Sequence, residues 1–153
     1  YYEDRVKRIK SNVPDACIGA DVIVGFPGET EGDFFETYNF LNELNISYLH
    51  VFTYSERSNT GAIEMGERVS KETKADRSKM LHILSDKKQR YFHDQFINKN
   101  RPVLFENIKN GKIIGHTDNY IKVQVEGGTS LINTIQPVMM KENQASMVNS
   151  ILD

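Results

Sequence analysis

Two apolar, β-branched runs on either side of one amphipathic segment constrain the fold of this chain more than any other feature. The first run extends from Ile18 to Phe26 and the second from Ile46 to Tyr54. Such nearly continuous runs are typical of strands buried on both faces, as in parallel sheets. Between them, four apolar residues recur at helical spacing: Phe34, Tyr38, Leu41 and Leu44. The order strand, helix, strand predicts a βαβ unit with a right-handed crossover, and therefore α/β architecture.

Capping and loop signals predict the other elements of the first hundred residues. Thr30, followed three residues later by Asp33, predicts a capping box at the start of the first helix. Residues 55–68 show no periodicity, and we expect a long loop there. Ser70 then predicts the start of another helix that runs to about Asn98. The expected apolar side of that helix consists of Met80, Leu81, Leu84, Tyr91, Phe92 and Phe96.

The pattern changes at Arg101 to short alternating segments separated by glycine-containing turns. These segments are Val103–Glu106, Lys112–Thr117, Tyr120–Val125 and Ile135–Met140. They predict a small all-β barrel with a modest core of its own. The sequence thus predicts two domains, residues 1–100 and residues 101–153.

Composition excludes several classes of protein. The formal net charge is -2, from 19 basic and 21 acidic residues, so any affinity for nucleic acid must come from a local patch. Cys17 is the single cysteine, which excludes an internal disulfide framework and a cysteine-ligated cluster built by this chain alone. We also expect no metal site, because the four histidines lack metal-ligand spacing. No apolar run approaches the roughly 20 residues of a membrane span, and a cytoplasmic setting is expected.

Glycine and polar residues follow both predicted strands at their carboxyl ends, where α/β folds place ligand sites. The segment Gly25–Thr30 lacks the lysine of a phosphate-binding P-loop. It suits either a close approach of the backbone to a ligand or a plain strand-to-helix turn. After the second strand, Tyr54 and Arg57 follow. The Arg57 guanidinium can bind a carboxylate or phosphate as a rigid fork, or form an ordinary ion pair in the loop.

A basic and aromatic cluster is predicted on adjacent strands of the second domain. Its members are Lys112, His116, Asn119, Tyr120 and Lys122. Basic side chains beside an aromatic ring suit the binding of RNA phosphates and the stacking of a base. Residues 101–153 carry as many acidic as basic side chains, so an ordinary solvated barrel face is the alternative.

Two motifs in sequence resemble the methylthiotransferase branch of the radical-SAM enzymes. They are DVIVGFPGET at Asp21–Thr30 and YLHVFTYSER at Tyr48–Arg57. The chain departs from the family at Asn59–Gly61, where a Gly-Thr pair is usual. The second domain is similar to the TRAM module, an RNA-binding barrel. Within the family, it looks most like the subgroup that acts on threonylcarbamoyl-adenosine in tRNA.

The resemblance implies that residues 1–100 form the last two βα units of a partial (βα)6 radical-SAM barrel, followed by an OB-like TRAM barrel. It implies S-adenosylmethionine (SAM) and two 4Fe-4S clusters, whose ligands lie outside this chain, so that these residues alone would be inactive. Ile23 and Gly25 would lie near SAM, and Glu29 would hold the turn. Phe52, Tyr54 and Arg57 would close the pocket and face the substrate.

The implied partner is the tRNA anticodon stem-loop, whereas the resemblance leaves the electron donor unspecified. Three alternatives stay open: a methylthiotransferase acting on isopentenyladenosine in tRNA, one acting on a ribosomal protein, and an RNA-binding module without catalysis.

Overall fold

The chain forms two compact units. The computed structural model describes residues 1–144 and 147–152. Unit 1 comprises Tyr1–Asn12 and Ile18–Lys87, and unit 2 comprises Val13–Cys17 and the chain from Lys88 onward. The division falls inside a helix, whereas the sequence pattern changes at Arg101. None of the helices in the described part of the chain has the length and apolar character that a membrane span requires.

Unit 1 is built on a parallel βαβ arrangement. Its elements are α1 (Tyr2–Asn12), β1 (Gly19–Val24), α2 (Glu31–Glu43), β2 (Tyr48–Thr53) and the first part of α3 (Lys71–Asp94). A short 3-10 turn, Gly61–Ile63, interrupts the long loop between β2 and α3. The two strands pair in parallel from Gly19 opposite Tyr48 to Val24 opposite Thr53. The predicted strand, helix, strand order is therefore confirmed.

The predicted helix starts are confirmed by their hydrogen bonds. The Asp33 amide donates to Thr30 Oγ1 at 3.1 Å, and the Thr30 amide donates to Asp33 Oδ2 at 2.9 Å, which completes the capping box. The Thr30 hydroxyl donates to Asp33 Oδ2 at 2.7 Å, and this bond, together with that from the Thr30 amide, holds the pKa of the Asp33 carboxyl below its usual value because both favour the charged form. At α3, the Thr73 amide donates to Ser70 Oγ at 3.1 Å.

Two features predicted for α3 are wrong. The helix ends at Asp94 and not near Asn98, which lies beyond it with a positive φ of 62°. Tyr91 is 69% exposed, although it was expected on the apolar side. Phe92 and Phe96 are buried at i and i+4 spacing, and Tyr91 therefore lies on a different face of the helical turn.

The expectation that β1 is buried on both faces is also wrong for this chain. Ala20, Val22 and Val24 are buried against apolar side chains of the helices, whereas Asp21 and Ile23 on the opposite face are exposed. Ile23 is 56% exposed. Within the described residues, all three helices contribute core residues to the same face of the sheet, which leaves the other face uncovered.

Unit 2 contains a closed five-stranded barrel, as predicted. Its strands are β3 (Asn100–Lys109), β4 (Lys112–Thr117), β5 (Lys122–Glu126), β6 (Ile135–Asn143) and β7 (Val148–Leu152). They close in the order β3-β4-β5-β7-β6 around a core that includes Val103, Phe105, Val123 and Met140. The last strand, β7, has no counterpart in the prediction. Tyr120 precedes β5 and lies in a turn with a φ of 64°, rather than at the start of a strand.

Candidate functional site

The turn after β1 is held by a buried ion pair. Glu29 Oε2 accepts a hydrogen bond from the Gly25 amide at 2.7 Å. Arg77 on α3 donates through Nη1 to the same oxygen at 2.5 Å and to the Glu29 carbonyl oxygen at 3.1 Å. The side chains of Arg77 and Glu29 are 8% and 14% exposed, so water competes little for this pair.

Gly25 has no space for a side chain. Its φ is 75°, and a Cβ atom placed there would lie 2.4 Å from Lys74 Cγ. Because only glycine adopts this backbone conformation without strain, the residue type at this position follows from the geometry of the turn. The turn is thus fixed from two sides by residues of α3.

An open groove of about 550 Å³ lies at the carboxyl ends of β1 and β2. Ile23 and Phe52 are opposite each other in the parallel register, and both side chains are more than half exposed. Phe26 packs edge-to-face on Tyr54 with ring centroids 5.1 Å apart. The complete lining is Ile23, Phe26, Phe52, Thr53, Tyr54, Ser55, Arg57, Thr60 and Ala62. We call this the cofactor groove, after the ligand predicted for its residues.

The structure brings four of the six predicted cofactor residues to this groove: Ile23, Phe52, Tyr54 and Arg57. Gly25 and Glu29 do not line it, and they instead form the turn beside it. Arg57 makes no ion pair within residues 1–144 and 147–152. Exposed apolar side chains next to a free guanidinium suit a ligand with a flat ring and a carboxylate or phosphate.

In unit 2, part of the predicted RNA cluster forms one outer surface. His116 lies opposite Lys122 in the β4–β5 register, and both are half-buried. Tyr120 is 80% exposed in the turn between these strands. His116 Nδ1 is paired with Glu106 Oε2 at 2.5 Å. We call His116, Tyr120 and Lys122 the barrel patch.

The other two members of that cluster are placed differently. Lys112 is at the far end of β4, about 13 Å from His116 at the usual strand rise, and pairs with Glu126 at 3.4 Å. Asn119 is only 6% exposed. Its Oδ1 accepts from Thr117 Oγ1 at 2.6 Å, and its Nδ2 donates to the Asp15 carbonyl oxygen at 3.3 Å. Asn119 therefore holds the turn and does not present its amide to a ligand.

Metal-ligating residues do not cluster in the described residues. No group of three or more His, Cys, Asp or Glu side chains is placed to hold an ion there. Cys17 is half-buried.

Sequence reasoning missed several residues of these surfaces. Arg77, which holds the turn, is one of many charged residues on α3, and only its buried position distinguishes it. Leu104 and Ile135 lie opposite each other in the β3–β6 register, and Leu104 also lies opposite His116. They are 45% and 67% exposed and extend the barrel patch with apolar surface. Strict alternation around the buried Val103 and Phe105 is the signal that places Leu104 outside.

Comparison with known proteins gives relatives that are all named as enzymes of tRNA modification. The chain is 38% identical over 143 residues to threonylcarbamoyladenosine tRNA methylthiotransferase MtaB of Bacillus subtilis, which covers 90% of the chain and 32% of the relative. It is 40% identical over 126 residues to the protein of the same name from Aquifex aeolicus, with 82% and 30% covered. It is 36% identical over 140 residues to the tRNA-2-methylthio-N(6)-dimethylallyladenosine synthase of Protochlamydia amoebophila, with 90% and 31% covered. The chain thus spans about a third of the length of these relatives. No family model matches it.

Proposed function

Because this chain belongs to the family of tRNA methylthiotransferases, we propose that the protein carrying it adds a methylthio group to carbon two of threonylcarbamoyl-adenosine, next to the tRNA anticodon. We choose this nucleoside because the chain is 38% and 40% identical to two relatives named for threonylcarbamoyladenosine. Relatives named for dimethylallyladenosine are 36% identical or less among those compared, and that nucleoside is the second candidate.

We further propose that unit 1 forms the last two βα units of a partial radical-SAM barrel and that its cofactor groove holds SAM. The groove fits this cofactor, since Ile23 and Phe52 offer an apolar surface for an adenine ring, and the Arg57 guanidinium is free to bind the methionine carboxylate. SAM bound there supplies the radical chemistry and the methyl group. The ligands of the two 4Fe-4S clusters are proposed to lie outside this chain, which has the single cysteine Cys17. These residues alone would then be inactive.

This chain's own residues would position the cofactor. The Glu29–Arg77 pair fixes the backbone at Gly25, directly after β1, whose residue Ile23 lines the groove. Tyr54 would separate the groove from solvent on the β2 side, where its ring packs on Phe26. Preorganisation of this kind reduces the conformational entropy that the protein loses when it binds the cofactor.

Unit 2 is proposed to be a TRAM-like barrel that binds the anticodon stem-loop through the barrel patch. Tyr120 offers an exposed ring for stacking of an unpaired base, and Lys122 offers an ammonium group to a phosphate. Leu104 and Ile135 add apolar surface beside His116. If this is correct, Lys122→Ala lowers tRNA affinity and reduces the slope of log K against log salt by about 1. Lys141→Ala, which changes an exposed lysine elsewhere on the barrel, is the control.

The proposal is tested by mass spectrometry of tRNA nucleosides from the source organism with and without the gene for this protein. Selective loss of the methylthio form of threonylcarbamoyl-adenosine is expected, with the unmethylthiolated nucleoside accumulating in its place. Re-introduction of the intact gene restores the product, which excludes an indirect effect of the deletion.

The other outcomes favour specific alternatives. If the methylthio form of dimethylallyladenosine (isopentenyladenosine) is lost instead, the protein is still a tRNA methylthiotransferase, but its substrate is that nucleoside. An unchanged nucleoside profile refutes the proposal and favours a ribosomal-protein substrate or a non-catalytic RNA-binding role.

A further inference from the structure

A second groove in unit 1, of about 940 Å³, lies between the carboxyl end of β2 and the first part of α3. It shares Thr53, Tyr54 and Ser55 with the cofactor groove, so the two adjoin at the end of β2. The α3 residues that line it repeat at spacings of three and four, which places them on one side of the helix. They are Lys71, Lys74, Ala75, Ser78, Lys79 and His82. We call this cavity the basic groove.

The charge of the basic groove is almost entirely positive. Its lining contains four basic side chains and His82, against one acid, Glu56. That acid is already paired with Arg68 at 3.3 Å. Lys71 and Lys79 are exposed, and neither forms an ion pair within the part of the chain that the structure describes. In a chain with a net charge of -2, this is a local concentration of positive charge.

Lys74 has a separate role at the junction of the two grooves. Its aliphatic stem occupies the space beside Gly25, and its ammonium group lies 5.2 Å from the centroid of the Tyr54 ring. Nζ also donates to the Tyr54 carbonyl oxygen at 3.4 Å. Lys74 therefore packs as part of the wall, and Lys71 and Lys79 are the lysines free to meet a ligand.

We propose that the basic groove binds the sugar-phosphate backbone of RNA beside the nucleotide that enters the cofactor groove. This inference rests on the proposed function and adds a phosphate-binding site on α3 to the barrel patch. From Lys71 to His82 the helix spans about 16 Å, long enough to contact more than one phosphate. Unpaired lysines are strongly hydrated point charges that suit phosphates, and counterion release makes several such contacts favourable together.

Because the two grooves adjoin, RNA bound in the basic groove would lie directly beside the cofactor groove. A strand held along α3 would reach the end of β2 at Tyr54, where the cofactor groove begins. The reacting base would then be delivered by contacts to its neighbours, which hold position without reading sequence.

The test measures binding of a tRNA transcript that carries threonylcarbamoyl-adenosine, the proposed substrate, to the protein as a function of salt concentration. The variant Lys71→Gln/Lys79→Gln removes two exposed charges without touching Lys74. The matched control Arg8→Gln/Lys87→Gln removes two exposed charges from α1 and α3 outside the groove. We expect the groove variant to reduce the slope of log K against log salt by about 2, and to weaken binding at least tenfold at low salt. The control should change the slope by less than about 0.5.

A second measurement locates the contact without a substitution. Acetylation of lysines by a small reagent, followed by mass spectrometry, is compared with and without the tRNA transcript. Lys71 and Lys79 should be protected by tRNA, whereas Lys87 on the same helix should react equally in both samples.

Comparison with Lys122→Ala separates this inference from the proposed function. If Lys122→Ala weakens binding but the groove variant behaves like its control, the proposed function stands and the groove inference is overturned. Unprotected Lys71 and Lys79 overturn it in the same way and leave the groove as a candidate surface for an acidic protein segment. If the unaltered protein does not bind the transcript, both proposals fail.

Discussion

Removal of the Arg77 side chain is expected to loosen the turn after β1 more than any other single truncation of a charged residue in unit 1. Arg77→Ala leaves the Glu29 carboxylate largely buried with only the Gly25 amide as a partner. Breaking a buried ion pair from one side costs about 3–5 kcal/mol, because the remaining charge stays desolvated. The substitution also removes the guanidinium that lies 5.4 Å from the centroid of the Phe34 ring.

The measurement is local, because the chain forms two compact units and a global unfolding curve would not separate them. Hydrogen exchange followed by mass spectrometry reports the opening of peptides that cover β1 and the turn up to Thr30. A loss of about 3 kcal/mol raises the opening equilibrium more than a hundredfold, at 1.4 kcal/mol for each factor of ten. Peptides from the barrel of unit 2 should exchange as before.

Arg68→Ala is the matched control for this prediction. It breaks the ion pair between Arg68 and Glu56, whose side chains are 64% and 43% exposed. Exposed ion pairs contribute at most about 1 kcal/mol to stability. The double variant Glu29→Gln/Arg77→Met, which removes both charges, should be closer to the unaltered protein than Arg77→Ala. Equal exchange rates in Arg77→Ala and Arg68→Ala would refute the view that the buried pair holds the turn.

Three further predictions follow from single positions. Gly115→Ala should destabilise the barrel by about 1–3 kcal/mol, read from hydrogen exchange of barrel peptides, because the new Cβ would lie 2.2 Å from a backbone oxygen of β3, whereas the Cβ of Gly128→Ala would meet no atom closer than 3.9 Å. The lowered pKa of Asp33 contributes stability that is present above its unfolded pKa and is lost as the pH falls through its folded pKa; NMR titration of Thr30→Ala should show the Asp33 pKa rising toward 3.8. Arg57→Lys should weaken SAM binding about tenfold by calorimetry, since lysine cannot form the forked contact with a carboxylate, and unchanged affinity would exclude Arg57 from the cofactor site.

The elements that sequence predicts well are those with local causes. The capping box at Thr30 depends on residues three apart, and the β1, α2, β2 order depends on periodicity within short windows. The resemblance to a known family implied that Ile23 and Phe52 lie at one site, and the parallel pairing places them opposite each other. These predictions required no knowledge of which distant residues pack together.

The features that sequence did not reveal depend on distant partners. Asn119 was predicted as a member of the RNA-binding cluster, but it is buried and its amide bonds to Thr117 and to Asp15, the latter far away in the chain. Tyr91 and Phe92 are adjacent aromatic residues, and only the packing of unit 2 decides which one is buried. Arg77 differs from the other cations of α3 only because Glu29 lies opposite it. A local pattern carries no information about such partners.

The position of α3 links the two grooves of unit 1 physically. Lys74 and Arg77 are neighbours on one turn of the helix; the first packs on Tyr54 and beside Gly25, and the second holds Glu29. A displacement of this turn would therefore change the contacts made to Tyr54, which lines the cofactor groove, and to Glu29, which holds the backbone at Gly25. If RNA held in the basic groove favours the position of this turn that is seen here, it also favours these contacts to Tyr54 and Glu29. By linkage, a bound cofactor would then raise RNA affinity by the same factor as RNA raises cofactor affinity.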